Sequence, residues 1–274
     1  MPELPEVETT CRGIAPHSIQ QIIETVIVRQ PQLRWRIPDN LADSVRGQTV
    51  QAVTRRGKYI LIRMETGHII IHLGMSGSLR FITDQSPAEK HDHVDIVFAN
   101  KCCLRYHDPR RFGCILWTDQ PLSEHFLLKK LGHEPLEKAF DSAYLYQCTQ
   151  GRKRVIKTLI MDSHIVVGVG NIYASEALFL AGIHPKTPAK NLTVQHCKKL
   201  VAIIKQVLQQ AIQQGGTTLK DFVNSEGKAG YFQQSLHVYG RKNQACLQCA
   251  TPIEQVTIGQ RSSFYCPQCQ KPTN

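Results

Sequence analysis

At 274 residues, 42% of them hydrophobic, the chain can bury two separate cores without help from disulfides, which excludes a disulfide-stapled miniprotein. Its formal net charge of +11 suits a polyanionic partner, and the excess is uneven: residues 1–134 hold 17 basic and 15 acidic side chains, residues 135–274 hold 16 and 7. No run approaches the roughly 18 apolar residues of a membrane span, and Glu3, Glu6 and Glu8 stand where a secretory leader would be basic and then apolar. A soluble cytoplasmic protein is expected.

Taken in chain order, the first predicted element is a short helix. Pro5 suits its first turn, Glu6 and Glu8 favour the positive end of its dipole, and Val7, Cys11 and Ile14 share one face. Short alternating or β-branched runs follow: Ile22 to Arg29, Thr49 to Arg55, Tyr59 to Met64, His68 to Leu73, Ser78 to Thr83, Val94 to Ala99 and Cys103 to His107. Turn residues separate them, which predicts an antiparallel sandwich with the first helix plugging one side. Residues 119 to 137, with Pro121 and Pro135, read as a linker. The period then changes from two to about 3.6. One helix is expected over Ile172 to Ala181, ending near Gly182; a longer one starts at a Thr193 cap and ends at Gly215 and Gly216. Its apolar stripe is Cys197, Leu200, Val201, Ile204, Val207, Leu208, Ala211 and Ile212. The fold class is therefore α+β: an N-terminal antiparallel β-sandwich flanked by helices, then a helical domain.

Near the C-terminus Cys246 and Cys249 form one C-x-x-C knuckle and Cys266 and Cys269 another, with 16 residues between them. Each two-residue gap lets both sulfurs reach one ion, and the intervening length fits a β-hairpin that brings the pairs together. One Zn2+ is expected, structural because four thiolates leave no open coordination position. Cys11, Cys102, Cys103, Cys114, Cys148 and Cys197 read as buried free thiols.

Pro2 follows the initiator Met, and methionine removal would expose a secondary amine at the tip of a helix. An α-amino group titrates near 7.7 to 8.0, so a useful fraction is neutral at working pH and nucleophilic. Attack on a sugar C1′ would expel a base and give an iminium ion, an electron sink that acidifies the C2′ proton. Glu3 could donate and accept the protons, and Glu6 could orient water. The same opening also reads as an ordinary helix start with dipole-favoured acids.

Several segments, read together, decide between these. The opening PELPEVE, RRGKY around Lys58, HLGMSG at 72 to 77, KHDHVD at 90 to 95, DPRRFG at 108 to 113, VGVGNIYASEAL at 167 to 178, GGTTLKDF at 215 to 222, VYGRKNQAC and GQRSSFYCPQCQK resemble the bacterial formamidopyrimidine-DNA glycosylases, colinearly from Pro2 to Lys271. The resemblance implies a bifunctional glycosylase and lyase of base excision repair. It would act as a monomer on double-stranded DNA, excise 8-oxoguanine and formamidopyrimidines, and nick the abasic strand by β,δ-elimination. It further implies Pro2 as Schiff-base nucleophile, Glu3 as proton donor, Lys58 for β-elimination and Arg261 for δ-elimination. Met75, Arg110 and Phe112 resemble the wedge that replaces the everted nucleotide. His91, Arg110, Arg152 and Asn171 fall where the family contacts DNA, Asn171 in what resembles its helix-two-turn-helix, and Thr217 to Tyr231 resembles the loop over the flipped base. Leu4 matches this family better than the endonuclease VIII group, whose openings have Gly there. The implied domains are 1–134, catalytic; 135–236, helical; and 237–274, the four-cysteine zinc finger.

Overall fold

The computed structural model describes residues 2–83, 86–216 and 236–272. The chain divides into two compact units, Met1–Lys129 with Gln214–Gln233 and Lys130–Gln213 with Gln234–Asn274. The zinc-finger segment thus falls in the same unit as the helices.

The first unit holds two four-stranded antiparallel sheets. One has the order β1 (Ile23–Val28), β6 (Asp92–Phe98), β7 (Cys103–His107), β5 (Ser78–Ile82); the other runs β2 (Ala52–Arg56), β3 (Tyr59–Arg63), β4 (His68–His72), β8 (Cys114–Thr118). Isoleucines at alternate positions of β3 and β4 (Ile60, Ile62, Ile69, Ile71) face Leu79, Val94, Ile96, Leu104 and Tyr106 in one core, as a period of two requires. Two helices close the open sides. Helix α1 (Leu4–Ser18) packs on the edge strands β2 and β5, and α2 (Leu41–Val45) packs on the other two edges, β1 and β8. Each exposed strand edge of the sandwich therefore meets a helix, the arrangement that prevents edge-to-edge pairing.

In the second unit α3 (Ser142–Thr149) and α5 (Asn171–Ala181) both pack on α6 (Val194–Gln213). The buried residues of α6 are the eight of the predicted stripe. Thr193 caps it reciprocally with His196: the Thr193 hydroxyl accepts from His196 N at 3.2 Å and His196 Nδ1 accepts from Thr193 N at 3.3 Å. Gly182, at φ 71°, ends α5 in the left-handed conformation. The short helix α4 (Ile156–Ile160) precedes α5, and the ribbon strands β9 (Glu254–Ile258) and β10 (Arg261–Tyr265) join through Gly259 and Gln260, both at positive φ. Phe179, Val238, Ile253 and Phe264 pack with Cys246 and Cys266 into a small core between α5 and the ribbon.

Strand β8 and helices α2, α3 and α4 were not resolved as separate elements by sequence pattern. Of the six non-knuckle cysteines expected to be buried, Cys102 and Cys148 are half-exposed; Cys11, Cys103, Cys114 and Cys197 are buried. Burial pushes the Cys11 thiol up to about 12 and those of Cys114 and Cys197 to about 11, which leaves them protonated and unreactive.

Candidate nucleic-acid interface and catalytic residues

The N-terminal residues come first because the helix start dictates their geometry. Glu3 is the N-cap of α1 and forms a capping box with Glu6, whose Oε2 accepts from Glu3 N at 2.7 Å. Pro2, Glu3 and Glu6 are all buried, so the two carboxylates are locked at the helix tip beside Pro2 instead of ranging in solvent. Gly216, at φ 82°, lies against Glu6: a Cβ there would stand 3.1 Å from its carboxylate. Glu8 points elsewhere, paired with Arg12 at 2.8 Å and Arg55 at 2.9 Å.

Lys58 occupies the two-residue turn between β2 and β3, after Gly57 at φ 56°. Its charge is felt at His72 on β4: burial, then the cations Lys58 and Arg34, hold that imidazole down at about 4. A neutral ring is what the next turn uses, since His72 Nδ1 accepts from Gly74 N at 2.9 Å.

That turn carries Met75, and a second loop packed on it carries Arg110 and Phe112. The approach is tight enough that a Cβ on Gly74 would stand 2.5 Å from the backbone of Phe112 and Gly113. The two loops share one buried carboxylate, Asp108, which is fully inaccessible. It accepts from Ser76 Oγ at 3.2 Å, Tyr106 Oη at 3.1 Å and Gly113 N at 2.9 Å. Met75 is 39% and Phe112 49% exposed, on loops braced from below. Ordinary core packing does not account for them; an apolar pair presented to something outside the unit does. Arg110 is exposed beside them.

His91, at φ 78°, stands next to His93 and His107, with ring centroids 6.2 and 6.0 Å away. His93 Nε2 is bonded to the Asp108 carbonyl and His107 Nδ1 to Asp92. These bonds take up one ring nitrogen each of His93 and His107. Among the described residues the one cluster with metal-ligand geometry is that of the four cysteines.

In the second unit Asn171 begins α5, after Gly168 at φ 81°. Lys157 of α4, 1% exposed, donates to Asn171 Oδ1 at 2.7 Å and to Ser263 Oγ at 2.5 Å, while Asn171 Nδ2 donates to the Ser262 carbonyl at 2.9 Å. Asn171 is thereby tied to β10, whose first residue is Arg261, exposed at the hairpin tip. Arg154, Lys157, Thr158, Met161, Asp162, Ile258, Gly259 and Arg261 surround a cavity of about 240 Å³. Arg154 is committed to Asp162 at 2.7 Å and to the Thr158 carbonyl. Arg152 is exposed ahead of it. Glu176 of α5 is buried and accepts from the backbone of His237, Val238 and Tyr239 at 2.8–3.0 Å, so it fastens the chain where it enters the ribbon. Thr217 to Tyr231 lies outside the described residues.

The sulfurs of Cys246, Cys249, Cys266 and Cys269 all lie within 4.8 Å of one another, and three of the separations are 3.4, 3.4 and 3.9 Å. Tetrahedral zinc with bonds of about 2.3 Å needs sulfur-sulfur edges of about 3.8 Å. The set fits one structural zinc. Gln270, buried, donates to the Ile183 carbonyl at 2.9 Å and accepts from Cys266 N, which couples the knuckle to the end of α5.

Sequence reasoning missed Ser76, Asp108, Tyr106, Lys157 and Glu176. Ser76, Asp108 and Glu176 lie inside the family-like segments, but only their burial reveals what they hold; Lys157 had a visible signal, a lone cation in the mostly apolar run Val155 to Ile160.

Three family profiles match: the formamidopyrimidine-DNA glycosylase N-terminal domain over residues 1–115, the formamidopyrimidine-DNA glycosylase H2TH domain over 131–223, and the zinc finger found in FPG and IleRS over 243–272. The formamidopyrimidine-DNA glycosylase of Hydrogenovibrio crunogenus is 55% identical over 271 residues, 99% of this chain and 97% of the relative; that of Thioalkalivibrio sulfidiphilus is 56% identical, covering 99% and 100%. Among solved structures, a Lactococcus lactis FPG variant in complex with a Fapy-dG containing DNA superposes with TM-score 0.91 at 34% identity, covering 98% of this chain and 100% of that one. The MutM (FPG) protein of Thermus thermophilus gives 0.89 at 35%, with both chains fully covered. A sandwich capped by a buried N-terminal Pro-Glu pair, an asparagine-led helix and a four-cysteine ribbon, with relatives alike from end to end, place this chain in the formamidopyrimidine-DNA glycosylase family.

Proposed function

We propose that this chain is a cytoplasmic, monomeric, bifunctional DNA glycosylase and AP lyase of base excision repair that removes 8-oxoguanine and formamidopyrimidines from double-stranded DNA. The observation that carries the reading is the buried Pro2-Glu3 pair locked at the α1 tip by the Glu6 capping box. Once Met1 is removed, the Pro2 nitrogen bonds to C1′ as the base departs with the glycosidic bonding pair. Glu3 protonates the ring oxygen, which leaves C1′ with its bonding pair, and the nitrogen lone pair completes the iminium. Loss of the C2′ proton then expels the 3′ phosphate, and a second elimination expels the 5′ phosphate. Lys58 serves the first elimination and Arg261 the second, where a guanidinium suits a departing phosphate.

Met75 and Phe112 fill the vacated stack, and Arg110 pairs with the orphaned base, offsetting an unstacking cost of a few kcal/mol. Their exposure on braced loops supports this assignment. His91, Arg152 and Asn171 contact the backbone. The zinc serves geometry, bracing the hairpin that presents Arg261. When bound it supplies no Lewis-acid step, because its four thiolates close the coordination sphere.

Borohydride reduction should trap a covalent complex with 8-oxoguanine DNA, and blocking the Pro2 amine should abolish it. Trapping that survives the block overturns the mechanism. The wild-type Lactococcus lactis relative has been solved with an oxidised pyrimidine containing DNA, so the substrate panel should include thymine glycol; faster excision of it than of 8-oxoguanine would displace the purine reading.

A further inference from the structure

The wedge guanidinium is held before any DNA arrives. Arg110 Nε donates to Ser76 Oγ at 3.2 Å, and the Ser76 hydroxyl in turn donates to Asp108 Oδ1 at 3.2 Å. A hydroxyl has one proton, so the buried carboxylate fixes where it points and leaves the serine oxygen oriented as an acceptor. Asp108 cannot turn away: its other oxygen is engaged by Tyr106 Oη and Gly113 N, and its carbonyl by Arg111 N and His93 Nε2. Ser76, only 7% exposed, is thus the middle of a three-member relay from a rigid core carboxylate to an exposed cation.

We propose that Ser76, oriented by Asp108, is a positioning residue that sets the pose of Arg110 and thereby how sharply the enzyme distinguishes the base opposite the lesion. The inference rests on the assignment of Arg110 to the orphaned base. A guanidinium carries only donors. Cytosine offers two adjacent acceptors on its pairing edge, N3 and O2, whereas adenine sets an amino donor beside its one acceptor there. Donor-only recognition separates the two bases only while the guanidinium plane is held; a swinging arginine finds a single acceptor on either. Preorganisation by Ser76 therefore affects selectivity more than affinity.

The test measures excision of 8-oxoguanine opposite cytosine and opposite adenine for the parent, Ser76→Ala, Arg110→Ala and the double variant, taking each variant's cytosine-to-adenine ratio of kcat/KM. A general loss of activity cancels in that ratio. Ser76→Ala should lower it about tenfold, the scale of one hydrogen bond to a charged group, and should add nothing in the Arg110→Ala background. If the alanine variant fails to fold, Ser76→Gly removes the same hydroxyl and gives the same reading. An unchanged ratio in the Ser76 variant beside a lowered one in Arg110→Ala overturns the inference alone, as do additive effects. An unchanged ratio in Arg110→Ala removes Arg110 from base recognition, and the inference falls with that assignment.

Discussion

His72 joins three features of the first unit: it follows Ile71 of the core, its imidazole lies 4.9 Å from the Tyr59 ring, and its Nδ1 accepts the Gly74 amide that turns the chain toward Met75. Burial, with Lys58 and Arg34 nearby, holds its pKa at about 4, against an ordinary value near 6.5. Between those two values the unfolded chain binds a proton that the folded chain refuses. Stability from this group is therefore complete above about 6.5 and is lost as pH falls toward about 4. An NMR titration of the His72 ring should give a midpoint below 5, and a midpoint near 6.5 would refute the burial argument. Gly74 is equally constrained, at φ 65° and in contact with the Phe112 backbone. Gly74→Ala should cost about 3 kcal/mol through left-handed strain and overpacking together; urea unfolding with a loss under 1 kcal/mol would show that the two loops can separate. Neither residue's role was legible in HLGMSG as letters. The motif marked the loop that carries Met75, whereas the brace beneath that loop comes mostly from positions more than thirty residues away, Asp108 and the Phe112 backbone.

Among the elements, legibility followed periodicity and length. Helix α6 spans 20 residues with a clean stripe and a threonine cap, so both its face and its start were readable. Strand β8 was not: four of its five residues are buried, on both faces, which erases the alternation that marks a half-buried strand. Helices α2 and α4, at five residues each, are too short to show a helical period. Strand β6 carries a register shift between Asp92 and Val94, so simple alternation fails where KHDHVD enters it. The junction of α4, α5 and β10 was the least legible part of the site, because it is made by one buried lysine. Lys157→Met leaves Asn171 and Ser263 without their cation and should cost about 2 to 4 kcal/mol, with weaker DNA binding because Asn171 loses a tether. Thermal unfolding and a binding titration check both parts; unchanged melting and affinity would show that the amide needs no brace. Nearby, burial alone would raise Asp162, but hydrogen bonds from Arg154 and His164 hold it at about 2. Its stabilisation is present above the usual carboxylate range and fades as pH falls from about 4 to about 2. Asp162→Asn should flatten the acid limb of the unfolding curve in that window, and an unaltered limb would exclude the pair from stability.

At the scale of the whole molecule, charge sets how the protein meets a polyanion. A net charge of +11 falls to about +9 once four thiolates bind one divalent ion, which leaves ample cation for a phosphate backbone. Not every cation counts equally. Arg29 and Arg105 are bound to Asp95 at 2.6–3.0 Å, Arg80 to Asp92 and Arg154 to Asp162, so these charges brace the fold and release few counterions on binding. Arg152 is exposed at the head of the Arg152-Lys153-Arg154 run, where a phosphate contact would displace condensed ions. Arg152→Ala should therefore lower the slope of log K against log salt by about one, with the cytosine-to-adenine preference unchanged, whereas Arg105→Ala should destabilise the sandwich without a comparable change in slope for the folded fraction. Equal slopes for Arg152→Ala and the parent, measured on the same abasic duplex between 50 and 200 mM salt, would remove Arg152 from the phosphate contacts.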